Sequence, residues 1–176
     1  MNTVPAPEFS RPLRIDQIGR LSGSTTIVAD AAEREALMRR FGLIELDLLE
    51  ADYGIGDENG SIVARGRVRA RLSQTCVATG LPVPENMDAD FVLRFVVESD
   101  DLSDADELEL DAQDCDTIGY DGQVIDMGEA VAETMALTME IYPRAPQADA
   151  VLEEAGVLSE EQASPFAVLQ ALKNKE

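Results

Sequence analysis

The chain has 176 residues, a hydrophobic fraction of 45% and a net charge of −21, which suit one domain with a buried core. It contains no histidine, which excludes Ser-His-Asp and Cys-His catalysis within the chain. Its two lysines both stand near the C-terminus, and this composition argues against an enzyme. No apolar run reaches the roughly 18 residues of a membrane span, the N-terminus lacks a secretory pattern, and the separated cysteines Cys76 and Cys115 fit a reducing cytoplasm.

The first forty residues predict two strands and a helix. Residues 8–21 mix apolar and basic positions, which indicates an edge strand. Residues 25–30, TTIVAD, are rich in β-branched side chains and predict a second strand. Asp30 can then cap a helix that ends at Gly42.

The next segment predicts a three-stranded arrangement. Residues 43–54 alternate between apolar and acidic positions, and residues 61–74 alternate between small apolar and basic ones. Asn59-Gly60 between them is a strong turn signal, so we expect an antiparallel hairpin with a long loop. Residues 85–100 predict a third strand.

Four arginines stand at every second position of the predicted strand 61–74. Side chains alternate between the two faces of a strand, so all four guanidinium groups should project from one face, about 7 Å apart. Two interpretations remain open: Glu45 and Asp47 of the partner strand neutralise this face by cross-strand ion pairs, or the face contacts phosphate groups of RNA. We call these residues the arginine row: Arg65, Arg67, Arg69 and Arg71.

The second part of the chain is strongly acidic. Residues 76–176 hold 24 acidic and 4 basic side chains, and residues 98–121 alone hold eleven acidic and no basic ones. Low hydrophobicity and high charge predict an acidic loop over residues 98–121. The spacing of its carboxylates does not match a calcium-binding loop, so we predict no metal site.

The C-terminal third predicts helices. Asp126 followed by Glu129 resembles a capping box, and it predicts a helix that ends near Ile141. We assign residues 144–176 to a linker and a short C-terminal helix, in which Phe166 belongs to an apolar stripe. The whole chain, residues 1–176, is predicted to form a single domain.

Four sequence features in this order resemble the YceD-like family, which is named for the accumulation of large-subunit ribosomal RNA. They are the strand GRVRARLSQTC leading into VATGLPV, the strand DADFVLRFV with its acidic successor, the segment IDMGEAVAETMALTMEIYPRAP, and the terminal SPFAVLQALK. The resemblance implies a cytoplasmic, non-catalytic factor that supports synthesis or processing of ribosomal RNA, or large-subunit assembly. It implies neither a cofactor nor a small-molecule substrate.

The resemblance also marks individual positions. Many relatives carry two cysteines at the bend after the basic strand, whereas this chain has Cys76 at the first position and Thr79 at the second. One thiol and a hydroxyl do not form a zinc site, so Cys76 is interpreted as a small buried residue. The remaining family-motif positions are Pro82, Asp126, Tyr142 and Pro143.

Together these features predict an α+β fold: an antiparallel sheet, strongly bent or partly barrel-like, with about three helices. The first functional hypothesis is contact between the arginine row and a precursor of the large-subunit ribosomal RNA. The alternative is an acidic adaptor that holds a basic ribosomal protein. A carboxylate-dependent enzyme using pairs such as Asp100 and Asp101 is a third possibility, but no pocket signal supports it.

Overall fold

The computed structural model describes residues 7–19, 21, 23–58, 60–97 and 116–157. The chain divides into two compact units: unit 1 is Met1–Ser73 with Pro84–Met139, and unit 2 is Gln74–Val83 with Glu140–Glu176. The strands are β1 Pro12–Arg14, β2 Thr25–Val28, β3 Glu45–Glu58, β4 Ser61–Thr75, β5 Pro82–Val97, β6 Asp116–Tyr120 and β7 Val124–Asp126. The helices are α1 Ile15–Ile18, α2 Ala31–Phe41, α3 Met127–Thr138 and α4 Ala148–Glu154.

The architecture is α+β, as predicted, but the sheet is neither wholly antiparallel nor barrel-like. Five strands follow the order β2-β3-β4-β5-β6, while β1 and β7 form a separate antiparallel pair. Within the described ranges β2 and β6 remain edges, so the sheet does not close. Strand β6 runs parallel to β5, and residues 98–115 between them are numerous enough for the crossover that a parallel pair needs. The predicted acidic loop 98–121 is therefore wrong at Asp116–Tyr120, and its residues 98–115 lie outside the described ranges.

The hairpin of β3 and β4 is longer than expected. The two strands pair as far as Glu58 and Ser61, so the predicted long loop is replaced by a two-residue turn. Gly60 adopts a φ of 86° there, and its N–H donates to Asp57 Oδ1 at 3.0 Å. Gly60 thus supplies the positive φ that the predicted turn needs, and Asn59 lies outside the described residues.

A β-bulge interrupts this hairpin between Leu46 and Leu48. Leu46 lies opposite Leu72, but Leu48 lies opposite Arg71, so one residue of β3 is extra. A bulge of this kind reverses the alternation that follows it. The alternation predicted at the start of this strand, from Leu43 to Leu48, is consequently wrong beyond Leu46.

The core of unit 1 lies on one side of the five-stranded sheet. Leu49 and Tyr53 of β3, Val68 of β4 and Leu93 of β5 are almost fully buried, in one cluster with side chains of α2 and α3. Packing is close at Gly66, where an added Cβ would lie 2.7 Å from Phe91 Cζ and 2.4 Å from the Asp52 carbonyl oxygen. The side of the sheet facing away from this core is called the outer face below.

The N-terminal strand is much shorter than predicted. Only Pro12–Arg14 form β1, and helix α1 follows at once. The partner strand β7 has three residues, so pairing cannot continue along residues 8–21. Asp126, at the end of β7, fixes this region by accepting hydrogen bonds from Arg11 N at 2.7 Å and Ser10 Oγ at 2.5 Å.

The helix starts agree with the sequence, and one helix end does not. Asp30 and Glu33 form a complete capping box at α2. Asp126 caps α3 by accepting from the N–H of Glu129 at 3.2 Å, but the carboxylate of Glu129 contacts Arg40 instead of returning to the cap. Helix α3 ends at Thr138, three residues before the predicted end. The described residues hold four helices, against about three predicted, and the predicted C-terminal helix around Phe166 lies outside the described residues.

Candidate functional site on the outer face of the sheet

The arginine row lies on the outer face of β4. Its members are exposed or half-buried, whereas the alternating neighbours Val68, Ala70 and Leu72 are buried in the core. Four guanidinium groups therefore share one face, because successive side chains of a strand point to opposite sides. What these groups contact decides whether they can meet a partner.

Arg69 lies between two carboxylates of β3. Its Nε donates to Glu50 Oε1 at 2.7 Å, and its Nη2 donates to Asp52 Oδ2. The hydrogen bond that Arg69 donates to Glu50 is the main reason that the pKa of Arg69 is raised. The pKa of Asp52 is lowered, first by the Thr26 hydroxyl and then by Arg69, so β2, β3 and β4 share one polar network.

Arg67 pairs with strand β5 instead. Its Nε donates to Asp88 Oδ1, and its Nη1 lies 3.4 Å from Asp90 Oδ1. The hydrogen bond with Asp88 raises the pKa of Arg67, and the same bond lowers the pKa of Asp88. Strands β3 and β5 flank β4 on opposite sides. Arg69 therefore pairs with one neighbouring strand and Arg67 with the other.

The two ends of the row differ. Arg65 donates to Glu58, near the hairpin turn. Arg71 lies opposite Leu48 and is exposed, and among the described residues no carboxylate pairs with it. Arg94 of β5, also exposed, likewise has no ion pair within the described part of the chain. Three of the four arginines are thus neutralised within the molecule.

The expected partners of the row were wrong. Glu45 and Asp47 precede or sit within the bulge, and the bulge brings Glu50 and Asp52 opposite Arg69 and Arg67 instead. Sequence reasoning also missed Asp88 and Asp90, although their spacing in DAD already placed them on one face of a strand. The pairing of β4 with β5 could not be deduced from one sequence.

Asp126 lies in unit 1, and the other family-motif positions lie in unit 2. Cys76 is only 2% exposed, and its sulfur accepts from Ala145 N at 3.3 Å. This N–H, followed by the Thr79 hydroxyl, lowers the pKa of the thiol to about 7. Ala145 and Ala148 pack against Cys76. Alanine and threonine side chains do not supply the thiolate or imidazole that zinc prefers, so these neighbours do not fit a zinc site.

The family-motif positions Pro82, Tyr142 and Pro143 also lie in unit 2. Pro82 is exposed at the start of β5. Pro143 is buried, and its carbonyl accepts from Val77 N at 2.9 Å. Tyr142 is 74% exposed. The motif therefore fixes the backbone through Pro143 and leaves the adjacent aromatic ring in solvent.

These features define an acidic α+β protein with an ion-paired outer sheet face and a cysteine-containing turn. A family model described as "Large ribosomal RNA subunit accumulation protein YceD" matches residues 64–173, more than half of the chain. The chain therefore belongs to the YceD family, as the sequence motifs predicted. The match includes the arginine row, the Cys76 turn and helix α3. Neither a curated protein nor a solved structure matches the chain significantly.

The family name implies a role in the accumulation of large-subunit ribosomal RNA. In the described part of the chain, no helix has the length and apolar character needed to cross a membrane.

Proposed function

We propose that this protein is a non-catalytic cytoplasmic factor that supports large-subunit ribosomal RNA accumulation by holding a basic ribosomal protein during assembly. Membership of the YceD family supports the ribosomal context. The net charge of −21 and the absence of histidine support a binding protein rather than an enzyme. It needs no cofactor.

The proposal rests on the ion pairs that the arginine row already makes within the molecule. Arg65, Arg67 and Arg69 already donate to carboxylates of the same molecule. A phosphate group approaching these arginines would have to displace a carboxylate, so each new charge-assisted bond would replace an existing one. The outer face is thus a poor source of net RNA affinity.

The acidic part of the chain offers the complementary attraction. Residues 76–176 carry a net charge of −20, from 24 acidic and 4 basic side chains. Opposite charges steer association and raise its rate, and salt weakens both effects. Ribosomal proteins with basic surfaces are suitable partners for such a region, whereas RNA is repelled by it.

Direct contact with the large-subunit ribosomal RNA precursor is the second candidate. The four arginines of the row share one face, and Arg71 has no ion pair among the described residues. Arginine suits phosphate because its planar group donates two parallel hydrogen bonds. This candidate requires the free arginines to supply most of the affinity.

Binding to the two partner classes tests the proposal. The full chain is immobilised and exposed either to purified RNA-free large-subunit ribosomal proteins or to a large-subunit precursor transcript, at several salt concentrations. We expect capture of basic ribosomal proteins that salt weakens, and little RNA binding. RNA binding without protein capture would contradict the proposal.

A charge-matched pair of variants locates the interaction. One variant changes four aspartates of the predicted acidic loop, in a segment outside the described residues, to asparagine: Asp100, Asp101, Asp104 and Asp106. The control removes the same charge from exposed carboxylates of the first half: Asp16→Asn, Glu35→Gln, Glu45→Gln and Asp47→Asn. We expect the loop variant to lose about tenfold or more in affinity and the control to lose less, since local charge dominates at physiological salt. Equal losses would mean that the acidic loop is not the binding region.

A further inference from the structure

Unit 2 exposes an apolar cluster that its own small core does not use. Val77, Ile141 and Tyr142 are 59%, 76% and 74% exposed. The buried core of the unit consists of Cys76, Ala145 and Ala148, with small or partly buried residues around it. Large exposed apolar side chains that lie together mark interaction sites more often than scattered ones do. We call these three residues the apolar patch.

Backbone and side-chain hydrogen bonds hold the two segments of the patch together. Val77 N donates to the Pro143 carbonyl at 2.9 Å, and Gln74 Nε2 donates to the Glu140 carbonyl at 3.0 Å. Tyr142 N donates to Glu140 Oε1 at 3.1 Å. The patch is therefore preorganised, so a partner binding there would lose little affinity to ordering of the backbone.

Tyr142 has the properties of an anchor residue. Its ring is exposed, and among the described residues its hydroxyl has no hydrogen-bond partner. Tyrosine supplies a large apolar surface with a polar tip, and it is enriched among the residues that dominate binding energy at interfaces. Ile141 and Val77 provide adjacent aliphatic surface that would be buried with it.

The charges of unit 2 favour a basic partner. Its described residues contain four acidic side chains and one basic, Arg144, which pairs with Asp149. Glu153 and Glu154 of α4 are exposed and form no ion pair within the described residues. Helix α4 begins at Ala148, which packs against Cys76, so these carboxylates belong to the same unit as the patch.

We propose that the apolar patch binds a basic polypeptide segment that carries an aliphatic or aromatic anchor. The inference rests on the proposed function, since it names the part of a basic ribosomal protein that this site would recognise. The anchor would cover Tyr142 and Ile141, and lysine or arginine residues beside it would face Glu153 and Glu154. Apolar contact supplies specificity, and the acidic surroundings supply attraction.

Two fluorescent peptides test this site in the full chain. The first combines lysines with spaced leucines and a phenylalanine, and the second has serine in place of each apolar residue. We expect wild type to bind the first peptide about tenfold more tightly, because burial of even one or two apolar side chains contributes that much. Equal affinity for the two peptides would overturn the proposal.

Surface variants locate the contact. Ile141→Ser with Tyr142→Ser should remove the preference for the apolar peptide and leave binding of the serine peptide unchanged. Val77→Ser provides a second, smaller change in the same direction. The matched control is Val28→Ser with Val96→Ser, two exposed valines of unit 1, which should preserve the preference. A patch variant that keeps the full preference would overturn the proposal.

One further variant separates a partner from the chain's own C-terminal segment. Phe166→Ser with Leu169→Ser should leave peptide affinity unchanged. A gain in affinity would mean that this segment competes for the patch, which would contradict an external partner as its occupant. Capture of intact ribosomal proteins is measured separately, so wild type that captures these proteins but binds the two peptides equally would reject the patch and keep the proposed function.

Discussion

The two faces of strand β4 are stabilised by different interactions. On the inner face, Val68 is fully buried, and Gly66 lies so close to Phe91 and Tyr53 that an added Cβ would force a neighbouring group to move. On the outer face, Arg67 and Arg69 meet carboxylates from both neighbouring strands. The inner face depends on shape and the outer face on charge, so a repeated basic residue in a strand indicates a shared face but not a free one.

The largest effect is expected on the inner face. Gly66→Ala places a Cβ within 2.4 Å of a backbone oxygen, so the hairpin or Phe91 must move, and we expect a loss of about 3 kcal/mol or more in the free energy of unfolding. Urea unfolding measures it. The matched control is Gly56→Ala in the same hairpin, where an added Cβ meets no atom within 4 Å. Equal stability of the two variants would refute close packing at Gly66.

A smaller effect is expected on the outer face. Arg69→Gln removes two ion pairs, so we expect the melting temperature to fall by about 1–4 °C. Arg71→Gln is the control, since no ion pair to Arg71 is found in the described ranges, and its melting temperature should stay near that of wild type. High salt should narrow the difference because it screens exposed charges. If Arg71→Gln were the more destabilising change, the assignment of partners would be wrong.

The smallest effect is expected in acid. The Thr26 hydroxyl and then Arg69 lower the pKa of Asp52 from the usual 3.8. Arg67 lowers the pKa of Asp88 from the same value. A lowered pKa contributes stability above the unfolded-state value, and that contribution disappears as pH falls through the folded-state value.

Unfolding curves between about pH 6 and pH 2 measure this contribution. Asp88→Asn should flatten the decline in stability below about pH 4. Val68→Ala, on the inner face, should instead lower stability by a similar amount at every pH, because no titrating group is lost. An Asp88→Asn curve parallel to wild type would contradict an ionised pair at this position.

Local signals in the sequence predicted much of the fold. The helix cap at Asp30, the strand that begins at Thr25 and the shared face of the arginine row each depend on neighbouring residues, and each agrees with the structure. The motifs also identified the family correctly. These features need no knowledge of which strands pair.

Features that depend on pairing could not be predicted. The bulge after Leu46 changes which carboxylates face the row, and only the register of β3 against β4 reveals it. The parallel placement of β6 and the ion pairs from Asp88 depend on contacts between distant segments. The exposure of Tyr142 likewise depends on tertiary packing. The sequence motif identified this residue but did not predict that its side chain is exposed.

The salt dependence of RNA binding tests the central claim most directly. Wild type is compared with a variant in which the four arginines of the row are replaced by glutamine, and with a control carrying Arg14→Gln and Arg39→Gln, two arginines exposed elsewhere. Because the row is neutralised within the molecule, we predict weak RNA binding with the same shallow slope of log affinity against log salt in all three proteins. Tight RNA binding by wild type, with a slope that falls by two or more only in the row variant, would contradict it.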